Sequence, residues 1–213
     1  IKSLKHPVPK TDISKTWKFD MFMEAKNLIQ AGYWMRKMHS FWEINSNLNK
    51  IWLYGDNFAS RMIDIENIVL GKKNILSNSD ILQIIELINS NNDGKVKDVY
   101  ITSVNDNTYD KLLQSSLIYV NFYDCVASNT IVECISSQTP ILVNKLPSVV
   151  EYLGEDYPLY FRDINHASSL SNNIDKIYEA HEYLKNNTKL IDQLSINKFT
   201  EDFYKECNRI CKR

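Results

Sequence analysis

Residues 112–161 read LLQSSLIYVNFYDCVASNTIVECISSQTPILVNKLPSVVEYLGEDYPLYF, and this stretch decides the fold. The apolar run 117–122 has the character of a buried strand. A polar loop follows, and a short helix opens at Asn129 and Thr130 with Glu133 in its first turn. Gln138-Thr139-Pro140 ends that helix, because proline lacks a backbone N–H and pushes its predecessor towards extended backbone. Residues 141–144 form a second apolar strand. The next helix starts near Pro147 and stops at Gly154, the usual placement of proline and glycine at helix ends. The order is strand, loop, helix, strand, helix, with an acid at the opening of the first helix. That arrangement is good at holding a nucleoside diphosphate and its ribose.

The alternation extends outward in both directions. Residues 27–32 read as a strand ending in Gly32, and residues 50–55 as a second strand. The spacing of Phe58, Met62, Ile65, Ile68 and Val69 predicts a helix over 58–70, with Gly71 just past its end. Ser79-Asp80 can cap a helix over 81–88, which stops at the Asn-Asn-Asp-Gly turn. Residues 96–104 give another strand. Residues 106–115 give a short helix with Asn107 or Thr108 as its cap, and residues 166–184 and 190–213 read as helical. Residues 1–24 look irregular, with Pro7 and Pro9 early, although Trp17, Phe19, Met21, Phe22 and Met23 make an apolar patch that would pack on the rest. The strands are continuous apolar runs, as in a parallel sheet covered on both faces. Ligands of such open sheets sit beyond the carboxyl ends of the strands. The loops after Ala31, Thr102, Phe122 and Asn144 are therefore the ones to watch.

With 213 residues, 44% hydrophobic and 24% charged, the chain has the composition of a globular protein, long enough for one good-sized domain or two very small ones. A formal net charge of -1 gives no basic excess for nucleic acid. No apolar stretch approaches the ~20 residues that span a bilayer, and no signal segment is visible. The chain starts at Ile1 without an initiator Met, which is expected of a piece of a longer protein. Cys125, Cys134, Cys207 and Cys211 do not read as a disulfide framework, and no His or Cys set completes a zinc site. A reducing cytoplasm is the expected location.

Two interpretations compete at each candidate site residue. The Glu133 carboxylate offers two oxygens, which suits the vicinal hydroxyls of a ribose. The same Glu with Thr130 fits a capping box, the reading that the pattern alone favours. Asn129 and Thr130 lie at a helix N-terminus, where free N–H groups and partial positive charge receive anions; simple capping would also explain them. Gly32 allows close approach of backbone to a ligand. Arg36 and Lys37 in the same loop could neutralise phosphates, Arg36 in bidentate fashion, or form a solvated pair. His39 reads as a packed or capping histidine. Asp124 either touches a sugar or turns its loop. No Walker loop, GxGxxG fingerprint, HExxH or Ser-His-Asp set is present.

The stretch 112–161 resembles the C-terminal, nucleotide-sugar-binding lobe of GT-B glycosyltransferases, most of all the retaining group with a Glu-x7-Glu motif. Residues 115–120 (SSLIYV) stand for that group's strand before an acid-containing loop. Residues 130–135 (TIVECI) stand for its Glu helix, 138–143 (QTPILV) for its last strand, and 146–153 (LPSVVEYL) for the helix after it. There are departures. Cys125 stands eight residues before Glu133, where the group has its first Glu, with Asp124 beside it. The Arg-x4-Lys pair is not reproduced, because Phe41 stands five beyond Arg36.

The resemblance implies an α/β fold: a Rossmann-like, doubly wound parallel sheet forming one GT-B lobe over 25–185, after a lead-in at 1–24 and before a C-terminal helical extension at 186–213. It implies that Glu133 binds the donor ribose and that Asn129, Thr130, Gly32 and Arg36 surround the diphosphate. Helix N-termini and cationic side chains, without metal or cofactor, would stabilise the leaving diphosphate. The nearest match to a metal-binding DxD motif is Asp64-Ile65-Glu66, inside an expected helix. The partners would be a nucleotide-diphosphate sugar and a second lobe or the remainder of a longer chain. Two other readings of the scaffold remain: a nucleotide-sugar epimerase-like enzyme, and a non-catalytic module for protein contacts.

Overall fold

In the computed structural model, which describes residues 5, 7, 12–32, 34–55, 66, 68–71, 75–125 and 128–211, the apolar runs become the strands of one sheet. They are β1 (Asn27–Ala31), β2 (Asn49–Leu53), β3 (Gly94–Val96), β4 (Val99–Thr102), β5 (Ser116–Val120), β6 (Ile141–Asn144) and β7 (Tyr160–Phe161). The order across the sheet is β3-β4-β2-β1-β5-β6-β7. All pairings are parallel except β3 with β4. Every residue of β5 is buried, as a central strand covered on both faces requires. The chain moves outward from β1 to β2 and β4 on one side, and from β5 to β6 and β7 on the other. The strand order therefore reverses between β1 and β5, the place where doubly wound sheets bind ligands.

The helices are α1 (Phe19–Ala25), α2 (Ser40–Glu43), α3 (Asn78–Ser90), α4 (Asp106–Ser115), α5 (Asn129–Ser137) and α6 (Pro147–Leu153). They continue as α7 (Ile164–Ser171), α8 (Ile174–Asn186), α9 (Thr188–Asp192) and α10 (Ile196–Cys211). α4 packs against α1 and α5, and α5 against α6 and α9. The expected bounds of β6 and α6 hold, with Gly154 at φ 83 closing α6.

Several expectations change. Residues 19–25 are helical rather than irregular, because Phe22 is fully buried and Trp17 donates its indole N–H to the Ser116 carbonyl at 3.0 Å. The single strand expected over 96–104 is a tight antiparallel hairpin, β3 and β4, turning at Lys97 with φ 53. α3 begins one residue before Ser79 and is capped by Ser77, whose hydroxyl and the Asp80 carboxylate form a reciprocal capping box. α4 is capped by Asn105, not by Asn107 or Thr108. The helix expected over 166–184 breaks at Asn172 and Asn173, where the Asn173 side chain caps α8. The last helical stretch divides into α9 and α10. Most of the helix expected over 58–70 lies outside the described residues; 66 and 68–70 are helical.

Two features place the loop after β1. Tyr119 of β5 stacks between Phe41 and Phe161, each centroid 5.7 Å away, and its hydroxyl meets Ser40 Oγ at 2.8 Å. Lys50 is buried under α2. Its Nζ donates to the Phe41 carbonyl at 3.2 Å and the Ile44 carbonyl at 3.0 Å, and pairs with Asp98 at 2.5 Å. At the other end of the chain α10 has no buried residue and presents Ile196, Phe203, Tyr204 and Ile210 to solvent. Among the described residues the four cysteines are free thiols, and no helix is long and apolar enough to cross a membrane.

Candidate functional site

Gly32 ends β1 with φ 72, a backbone conformation that favours glycine. Its missing side chain makes room for Arg36, whose guanidinium atoms lie 2.7 to 2.9 Å from where a Cβ would stand. Arg36 is itself buried, and its backbone forms an antiparallel bridge with Phe122 just beyond β5. The guanidinium lies 5.6 Å from the centroid of the Phe122 ring and donates from Nη2 to Thr130 Oγ1 at 2.9 Å. Two more backbone bonds tie the loops together: Lys37 N–H to the Asn121 carbonyl at 2.7 Å, and Tyr123 N–H to the Met35 carbonyl at 2.8 Å. The loop after β1 is thus sewn to the loop after β5 at the reversal of strand order.

Thr130 sits in the first turn of α5, buried, with Arg36 on its hydroxyl. The cap residue is Ser128, and its side chain makes no capping bond. α5 has no acid in its first turn, so Glu133 belongs one turn further along and forms no capping box with Thr130. Its Oε2 instead accepts the Tyr109 hydroxyl of α4 at 2.9 Å. Burial, and after it the Glu133 charge, push the Tyr109 phenol well above its ordinary range, so it keeps its proton. Burial likewise raises the thiols of Cys125 and Cys134.

The structure thus brings Gly32, Arg36 and Thr130 into contact, with Glu133 on the same face of α5 as Thr130, three residues on. Asn129 is exposed at the first position of α5. Asp124 is exposed, and its Oδ1 accepts the N–H of the neighbouring Cys125 at 2.8 Å. His39 packs against Gly71. Sequence reasoning missed Tyr109; its ring belongs to the partly buried set around the core, and nothing local links it to Glu133, 24 residues away.

Beside this cluster lies a cleft of about 600 Å³ at the carboxyl ends of β5, β6 and β7. Its lining includes Lys37, His39, Asn121, Asn144, Phe161 and Asp163, but not Gly32, Arg36, Asp124, Asn129, Thr130 or Glu133. The expected loops after Ala31 and Phe122 contribute to it, as does Asn144 at the end of β6, and the loop after Thr102 does not. Asn144 holds its wall: Oδ1 accepts the Phe122 N–H at 2.8 Å and Nδ2 donates to the Phe122 carbonyl at 3.0 Å.

The sequence matches no protein-family model and no curated protein. Among solved structures the chain is similar to a trehalose-6-phosphate synthase, determined in work on enzymatic glycosyltransfer with retention using bisubstrate glycomimetics. The TM-score is 0.52 at 11% sequence identity, over 91% of this chain and 50% of the other. The chain therefore spans about half the length of that enzyme. At this identity the likeness concerns the fold alone: a seven-stranded, mostly parallel α/β sheet flanked by helices, matching one Rossmann-like lobe of the GT-B type.

Proposed function

We propose that this chain is the donor-binding lobe of a metal-independent GT-B glycosyltransferase, holding a nucleotide-diphosphate sugar for transfer to an acceptor. The observation that carries the proposal is the convergence of Gly32, Arg36 and Thr130 at the reversal of strand order. In this reading the diphosphate lies against the first turn of α5, between the N–H groups of Asn129 and Thr130 and the Arg36 guanidinium. Arg36 and the helix end supply the positive charge that a leaving diphosphate needs, without a cofactor. Glu133 receives the ribose hydroxyls, and Asp124 lies on the sugar side. A second lobe, or the remainder of a longer chain, brings the acceptor, so this chain alone transfers little. Free thiols suit a reducing cytoplasm.

Calorimetric titration with UDP, GDP and ADP sugars tests the proposal. Heat with one of them, reduced in Arg36→Ala, supports it; no heat with any of them removes it. The second reading, a non-catalytic interaction module, is favoured by the solvent-facing apolar side of α10, with Phe203 46% and Ile210 66% exposed.

A further inference from the structure

We infer that Tyr109 is a positioning residue, whose phenol turns the Glu133 carboxylate so that its remaining oxygen meets the hydroxyls of a ribose. The inference rests on the donor-binding reading above and names the contact that would set its preference for a ribonucleotide.

The geometry supports it at each step. Tyr109 lies in the first turn of α4 and Glu133 in the second turn of α5, and these helices pack against each other, so both side chains are anchored on rigid elements. The hydroxyl is 2.9 Å from Oε2. A phenol has one proton to donate, and burial beside a carboxylate keeps that proton in place. The bond therefore runs in one direction. It leaves Oε1 free of Tyr109, and a carboxylate oxygen has two acceptor sites. Without that bond Glu133 would sample several rotamers, and a ligand would have to order it on binding. Thr130 and Glu133 share a face of α5. Arg36 meets that face at Thr130 and Tyr109 meets it at Glu133. A diphosphate at the first position puts the attached pentose within a turn of the second.

The test is calorimetric titration of the 213-residue chain with UDP, GDP and ADP and with their 2′,3′-dideoxy forms. The unaltered protein is expected to hold the ribose form of its preferred nucleotide on the order of tenfold more tightly than the dideoxy form. Tyr109→Phe, which keeps the ring and its packing, should weaken the ribose form roughly fivefold and leave the dideoxy form within about twofold. Glu133→Gln should erase the selectivity, and adding Tyr109→Phe to it should change nothing more. Equal weakening of both forms by Tyr109→Phe would overturn the inference while leaving the donor site standing. Absence of selectivity in the unaltered protein, or its persistence in Glu133→Gln, would overturn the ribose role of Glu133 and the inference together. No binding of any nucleotide would overturn the donor-binding reading as well.

Discussion

Arg36 and Thr130 stand 94 residues apart in the chain and are joined by a 2.9 Å hydrogen bond from Nη2 to Oγ1. The bond links the loop after β1 to the first turn of α5, the two halves of the proposed phosphate site. Thr130→Val keeps the shape of the side chain and removes the acceptor. Because the donor is charged and buried, the variant should lose about 2 kcal/mol of stability. Urea denaturation should show a lower midpoint at an unchanged slope.

Arg36→Lys retains a positive charge and gives up the planar fork. If a diphosphate is gripped there, affinity for the preferred nucleotide should fall roughly tenfold, and Lys37→Ala should change it by less than about threefold. Equal effects from the two variants in calorimetry would place Arg36 outside the site.

Gly32 sits at φ 72, and a Cβ there would come within 2.7 Å of Arg36 Nη1. Gly32→Ala should destabilise the fold by about 1–2 kcal/mol, from backbone strain and displacement of the guanidinium. A thermal melt unchanged from the parent would show that the turn tolerates a side chain after all.

The capping box of α3 makes a pH-dependent contribution. Hydrogen bonds from the Ser77 backbone N–H, and next from its hydroxyl, hold the Asp80 carboxyl below the usual carboxylate range. A group depressed in the folded state stabilises fully above its unfolded pKa and loses that effect as pH falls through its folded pKa. Asp80→Asn should therefore flatten the acid side of the stability curve, measured by urea midpoints at pH values spanning the carboxylate range. Ser77→Ala at neutral pH should cost about 1 kcal/mol.

Lys50 is 4% exposed and carries the carbonyls of Phe41 and Ile44 at the end of α2. Lys50→Ala leaves two buried acceptors bare and should cost about 3 kcal/mol. Asp98, more than half exposed, should matter less: Asp98→Ala should cost about 1 kcal/mol or below. Chemical denaturation of both variants checks the order.

What the sequence made legible follows from where its information is local. β6 and α6 are bounded by Pro140, Pro147 and Gly154, residues whose backbone chemistry punctuates the chain by itself. The β3–β4 hairpin was hidden because its turn uses Lys97 in the left-handed region, with neither glycine nor proline to mark it. The break between α7 and α8 was hidden because Asn173 acts as a cap only once its side chain meets the Lys176 N–H. In the site, Arg36, Thr130 and Glu133 were visible as residue types, but their partners were not. Glu133 was read against its helical neighbours, as a capping box would require. The contact that holds it comes from Tyr109 across a helix–helix interface, which no local spacing encodes.

Phe122 is gripped on both flanks, by the Arg36 backbone on one side and by the two arms of the Asn144 amide on the other. An amide side chain there imitates one more rung of the ladder beyond the end of β6. The segments following β1 and β5 and the last residue of β6 are thereby riveted into a single rim. A molecule seated on one side of that rim would find the other side already braced.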